Sequence, residues 1–186
     1  MTVRAVLEHR EHDHALCAVD ALAHAEAICR REGLRFTPQR RNVLQALLES
    51  HVPASAYDVI DRLAGRGAAR ESSESGSSKR LAPISVYRAL EFLTANNFAH
   101  RIESLNAYVA CDRGDDCEPA ATLFLICDNC GAAAEAASDE LGALIARESR
   151  ERGFASRQPV LEMRGLCARC RGATRAAGEG PRAAAG

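Results

Sequence analysis

The run Pro83-Ile84-Ser85-Val86-Tyr87-Arg88-Ala89-Leu90-Glu91-Phe92-Leu93 decides how this chain folds. Proline suits the first position of a helix, where its missing N–H has no partner to lose. Val86, Leu90 and Leu93 then recur at i, i+4 and i+7 and share one face. At the helical repeat Arg88 stands about 200° from Val86, toward water. Asn96-Asn97 closes the helix. Residues 98–103 and 106–111 read as two strands around Ser104-Leu105, a hairpin.

Upstream, residues 15–31 have helical composition, with Leu22, Ala25, Ile28 and Cys29 on one face, and Gly33 ends them. Thr37 can cap the next helix with its hydroxyl and Pro38 fits its first position. Val43, Leu44, Leu47 and Leu48 give that helix a core-facing stripe that stops before Pro53. A further helix starts at Ser55, turns Val59, Ile60 and Leu63 inward, and is expected to end at Gly65 and Gly67. The last three helices followed by a hairpin make the order of a winged helix-turn-helix. In that architecture the helix before the hairpin enters the major groove and the hairpin flanks the backbone. The stretch 67–80, GAARESSESGSSKR, has almost nothing to bury and is expected to be a flexible surface loop.

The second half opens on an acidic loop, 112–118. Residues 122–126 form a buried-type strand running into Cys127-Asp128-Asn129-Cys130-Gly131, with 132–136 as its expected partner. Ser138 can cap a helix with Asp139 and Glu140 at its start and Arg147, Arg150 and Arg152 near its end, placements that suit the helix dipole. Leu141, Leu144 and Ile145 are its expected apolar face, and Gly153 ends it. A last strand, 160–163, leads to Cys167-Ala168-Arg169-Cys170. A few strands and one helix make a thin core that needs a staple.

Two CxxC pairs, each following a strand, can offer four thiolates to one tetrahedral zinc ion. Four protein ligands leave no open position, so such a site is structural. A redox dithiol is the competing reading, but a thioredoxin-type motif occurs once, at a helix start in a βαβ unit. His100 and Cys111 on the hairpin and Glu135 beyond the first CxxC are further candidates, placed at the seam between the two halves.

The whole sequence fits these readings. It has 186 residues, 47% hydrophobic and 26% charged, with a net charge of −1. No apolar run approaches the ~20 residues of a membrane helix, and the start resembles no signal peptide, so a cytoplasmic protein is expected. Arg30, Arg31, Arg35, Arg40 and Arg41 face only Glu32 in their stretch, a local basic patch suited to phosphate. Eight cysteines in a reducing compartment point to metal or redox chemistry rather than structural disulfides. There is no Gly-rich phosphate loop and no defensible Ser/His/Asp arrangement, so no enzyme is expected.

In order and spacing, TPQR (37–40), SAYD (55–58), PISVYRALEFL (83–93), ICDNCG (126–131) and GLCARC (165–170) resemble the Fur family of metal-dependent repressors, most closely its zinc-uptake-regulator branch. The resemblance spans roughly 20–171 and implies an α+β fold. An N-terminal winged helix-turn-helix would be followed by a small α/β dimerisation domain stapled by a four-cysteine zinc site. Applied here, it gives a flexible N-terminus (1–14), a DNA-binding domain (15–111, with the 67–80 loop), a dimerisation and zinc-binding domain (112–172) and a disordered tail (173–186).

The same resemblance implies two zinc ions per subunit. The structural one would sit on Cys127, Cys130, Cys167 and Cys170. The regulatory one would sit on His100, Cys111 and Glu135. The branch's fourth regulatory ligand is a histidine seven residues before the first CxxC, where this chain has Ala120. Cys117 is the expected substitute ligand; the alternatives are water, one of His9, His12 and His14, or a site left incomplete. Two thiolates make the site soft and favour zinc over iron or manganese. The iron-sensing branch carries a His-rich stretch in this loop, and no histidine follows His100.

For DNA, the resemblance implies base contacts from Tyr57 and Arg88 with Ser85 and Tyr87 nearby. Arg40, Arg41 and Arg101 suit phosphate contacts. The expected function is a homodimeric, zinc-responsive repressor of zinc-uptake genes that binds double-stranded operator DNA, with no membrane partner and no small molecule besides metal. The rival readings are a Fur-family sensor of another metal or of peroxide and, from a different class, a thiol-redox or zinc-ribbon interaction protein.

Overall fold

The structure is a computed structural model that describes residues 14–71, 82–111, 121–155 and 159–172. Cys117, Ala120, the stretch 72–81 and both termini lie outside the described residues. The chain divides into two compact units, one spanning His12–Glu118 and one containing Pro119–Gly186.

The first unit holds α1 (His14–Arg31), α2 (Pro38–Leu47), α3 (Ala56–Glu71), α4 (Pro83–Ala95), β1 (Ala99–Ile102), a 3-10 turn at Glu103–Leu105 and β2 (Ala107–Ala110). Gly33 at φ +67° ends α1 in the left-handed conformation, and the Leu34 N–H reaches back to the Cys29 carbonyl at 2.7 Å. The Thr37 hydroxyl accepts from the Arg40 N–H at 3.3 Å and Pro38 opens α2, as the sequence implies. Val43, Leu44, Leu47, Val59, Leu63, Val86, Leu90 and Leu93 meet in one core.

Two features tie α3 to the hairpin side of this unit. Ala54 and Tyr108 exchange backbone hydrogen bonds of 2.8 Å in both directions, adding a one-residue third strand beside β2. Ser55 and Asp58 then form a capping box: the Ser55 N–H donates to Asp58 Oδ2 at 2.8 Å and the Asp58 N–H to Ser55 Oγ at 3.2 Å. Ser55→Ala is expected to destabilise the unit by about 1 kcal/mol in thermal unfolding. The Ser55 hydroxyl and then its N–H hold the Asp58 carboxyl below its ordinary value. The cap's contribution is therefore present above the ordinary carboxylate range and fades as pH falls through the lowered value.

The third helix does not stop at Gly65 and Gly67 but runs through both to Glu71. Each glycine costs only about 1 kcal/mol in a helix. Alanines and arginines surround them, and Val59 and Leu63 anchor the preceding turns in the core. Residues 67–71 of the expected loop are thus helical.

The second unit holds β3 (Thr122–Cys127), β4 (Ala133–Ala137), α5 (Asp139–Glu151) and β5 (Val160–Gly165). The sheet order is β4-β3-β5. The pairing of β3 with β4 is antiparallel, with Phe124 opposite Glu135. The pairing of β3 with β5 is parallel, with Cys127 opposite Gly165, so α5 is the crossover between them. Ser138 caps α5 by accepting from the Leu141 N–H at 3.2 Å, and Gly153 at φ +66° follows its end.

The apolar face expected of that helix is only partly covered among the described residues. Gly142 is the buried residue of α5, whereas Leu144 is 45% and Phe154 66% exposed, and with Ile145 they line an open groove. Val160 and Met163 on the edge strand β5 are exposed too. Three strands and one helix have too little surface to hide all their apolar side chains from water.

Candidate metal centre and nucleic-acid interface

Parallel pairing explains how the two CxxC motifs meet. Because β3 and β5 run side by side in the same direction, both leave the sheet at one end. Each delivers its CxxC there. The first turn is closed by the Gly131 N–H on the Cys127 carbonyl at 2.9 Å, with Gly131 at φ +72°. The second opens a helical turn at 168–172, where the Arg171 N–H bonds the Cys167 carbonyl at 2.8 Å.

The Sγ atoms of Cys127, Cys130, Cys167 and Cys170 all lie within 4.8 Å of one another, and none of the four is in a disulfide. Tetrahedral zinc with bonds of ~2.3 Å separates its sulfurs by roughly 3.8 Å; Cys130 and Cys167 are 4.0 Å apart. Cys127, Cys167 and Cys170 are buried, and N–H groups point at the sulfurs. The Cys167 N–H reaches Cys127 Sγ at 3.4 Å, and the Cys170 N–H reaches Cys167 Sγ at 3.5 Å. Asn129 Nδ2 donates to Cys170 Sγ at 3.2 Å.

These donors divide the thiols unequally. The backbone N–H groups of Cys130 and then Cys167 bring Cys127 down to about 6, against its burial. At Cys170 the Asn129 amide pulls downward, but Cys167, burial and the other two sulfurs together push it up to about 11. Four crowded sulfurs resist becoming four anions unless a cation joins them. The residues fit a zinc ion with a closed, structural shell.

His100 pairs with Val109 across the hairpin, and the Cys111 N–H donates to the Phe98 carbonyl at 3.1 Å. That register puts His100 and Cys111 on the same face of the ribbon, at diagonal positions. Cys111 is disulfide-bonded, contrary to the expectation that the cysteines remain thiols, and a disulfide sulfur offers no thiolate until it is reduced. Glu135 lies on β4 in the second unit. Cys117 and Ala120 lie outside the described residues.

Of the residues expected to meet DNA, Arg88 is exposed on α4, Tyr87 is 37% exposed beside it and Tyr57, on α3, is 72% exposed. The Tyr57 and Tyr87 phenols lie near enough to influence each other. The Tyr87 phenol is raised above its ordinary value, first by partial burial and then by Tyr57 and Tyr108. Sequence reasoning missed Tyr108, the third member of this group, because only the fold brings β2 beside α3 and α4. Ile84, 61% exposed at the start of α4, was missed too, although it falls off the Val86/Leu90/Leu93 face and so could have been found.

The other candidates have partners within the chain. The Ser85 hydroxyl bonds the Ala82 carbonyl at 2.7 Å and closes the first turn of α4. The Arg40 guanidinium lies 3.5 Å from the centre of the Phe92 ring and bonds the Arg35 carbonyl. Arg41 pairs with Glu26, and Arg101 pairs with Glu103 at 3.3 Å and Asn106 at 3.0 Å. Among the described residues, no helix is long and apolar enough to cross a membrane.

Comparison with known proteins covers both units. The sequence pattern described as the ferric uptake regulator family matches residues 31–164. The chain is 38% identical over 151 residues to the zinc uptake regulation protein of Escherichia coli K12, covering 81% of each sequence. Its fold is similar to that of a zinc uptake regulator complexed with zinc and DNA, at a TM-score of 0.72 and 35% identity, covering 85% of this chain and 97% of that one. It is also similar to holo XcZur, at a TM-score of 0.69 and 35% identity, covering 82% of this chain and 98% of the other.

Proposed function

The chain belongs to the ferric uptake regulator family, and on that footing we propose that it is a zinc-responsive repressor of zinc-uptake genes. It binds double-stranded operator DNA as a homodimer in the cytoplasm and is a regulator rather than an enzyme. The observation that carries this reading is likeness, over most of its length, to a regulator complexed with zinc and DNA, in a chain that exposes Arg88 beside a Tyr57–Tyr87 pair.

Each subunit holds two zinc ions. One sits on Cys127, Cys130, Cys167 and Cys170 and supplies cohesion that the small second unit lacks. The other is regulatory, with His100, reduced Cys111, Glu135 and Cys117 as its ligands. The shared ribbon face of His100 and Cys111 supports that set. The domains follow as winged helix 15–111 and dimerisation domain 112–172. The uncovered apolar groove of Leu144, Ile145 and Phe154 and the open edge of β5 supply the surface a second copy would cover.

When zinc is sufficient, the regulatory ion shifts the population of winged-helix orientations toward one that fits two half-sites. When zinc falls, that ion leaves, DNA is released, and the four-cysteine zinc stays. On DNA, Arg88 bonds guanine O6 and N7 together, and the exposed Ile84 suits a thymine methyl.

Arg88→Ala tests the DNA reading. It is expected to cost about 1–3 kcal/mol of discrimination for a bound genomic fragment over random DNA, with nearly the same salt dependence. Unchanged discrimination in a gel-shift titration would remove Arg88 from the interface.

A further inference from the structure

The spacing of a CxxC motif fixes its two cysteines and leaves the residues between them undetermined. Here both intervening side chains reach across to the other arm of the site. Asp128 Oδ1 accepts from Arg164 Nε and Nη2, both at 2.8 Å, and the Asp128 N–H bonds the Gly165 carbonyl at 2.8 Å. Asn129 Nδ2 donates to Cys170 Sγ at 3.2 Å. Arg164 and Gly165 end β5, and Cys170 belongs to the second CxxC. The two turns are thus joined by side chains independently of any metal.

We propose that Asn129 is a positioning residue for the four-cysteine zinc: its amide N–H to the Cys170 sulfur, steadied by the Asp128–Arg164 pair, slows loss of that ion. The inference rests on reading the cluster as a zinc site. An N–H donor disperses the negative charge of a metal-bound thiolate. The sulfur is then a weaker nucleophile toward anything that competes with zinc for it. The Asp128 pair is exposed and contributes little energy by itself, but it fixes the turn from which Asn129 reaches. Slow release here lets a second, regulatory ion come and go while the scaffold metal stays.

The alternative is that Asp128 and Asn129 are present because such residues favour tight turns. Asn129→Asp separates the two ideas, since aspartate suits the turn equally well but presents an acceptor to Cys170 instead of a donor. The experiment uses the reduced full chain in a Cys111→Ser, Cys117→Ser background, so that neither regulatory thiolate contributes and the signal comes from the two CxxC pairs. Zinc release to excess chromogenic chelator is timed. The sulfur-to-metal charge-transfer band of the cobalt-substituted protein is recorded alongside.

Asn129→Asp and Asn129→Ala are each expected to release zinc about 10–100-fold faster and to move the cobalt band to lower energy. Asp128→Ala is expected to speed release less and leave the band in place. If Asn129→Ala does not fold, Asn129→Asp decides alone. Asn129→Asp with the parent's release rate and band would overturn the inference while leaving the zinc site standing. A parent chain with no cobalt–thiolate band would overturn the site and the inference together.

Discussion

Cys127→Ser is expected to unfold the second unit and remove its zinc. Cys127 ends the central strand of the β4-β3-β5 sheet, is buried, and receives the N–H of Cys167. Its loss opens the metal shell at the point where both CxxC turns converge. Structural zinc contributes about 10–16 kcal/mol to the folding of small metal-bound domains, comparable with the entire ~5–15 kcal/mol stability of an ordinary domain. The second unit has no reserve to absorb that, since α5 buries Gly142 and leaves Leu144 exposed. Far-UV circular dichroism and metal analysis of the purified variant check this. The parent's spectrum with no bound zinc would mean that the sheet holds itself together and the cysteines are not its staple.

The second large effect is expected from Cys111→Ser. This variant should fold, sediment as a dimer and retain the four-cysteine zinc, yet no longer gain DNA affinity when zinc is added under reducing conditions. Moving a two-state protein from one part in a hundred to ninety-nine needs a ligand that prefers one state by about 10⁴-fold, ~5.5 kcal/mol. A regulatory ion deprived of a thiolate cannot supply a preference of that size. Gel shifts over buffered zinc, with analytical ultracentrifugation alongside, measure both halves of this expectation. A zinc response equal to the parent's would strike Cys111 from the regulatory set.

What could be read from the sequence was local. The Thr37-Pro38 start, the Val86/Leu90/Leu93 face, the Ser138 cap and the glycines after α1 and α5 each depend on neighbours within a few residues, and the structure shows each in place. The CxxC pairs were legible because spacing alone constrains chelation. What escaped was long-range. The parallel pairing that brings the two knuckles together and the Ala54–Tyr108 bridge involve partners that local periodicity does not reveal. The same holds for Arg40 over Phe92 and for the Asn129–Cys170 bond. The end of α3 escaped for a related reason, because packing upstream overrode the local preference of Gly65 and Gly67. The face of α5 was legible as apolar from its spacing, but its exposure was not, since burial depends on what the rest of the fold lays against it.

The central claim is that zinc, and not metal in general, switches this protein onto DNA. Its most direct test is retention of the source organism's own genomic fragments by the reduced protein across buffered free zinc, with iron and manganese in parallel. The account predicts that fragments are retained only as zinc rises, and that the retained set identifies the operator. Retention indifferent to metal, or produced equally by iron or manganese, would contradict it: the winged helix would stand, and the zinc switch would not.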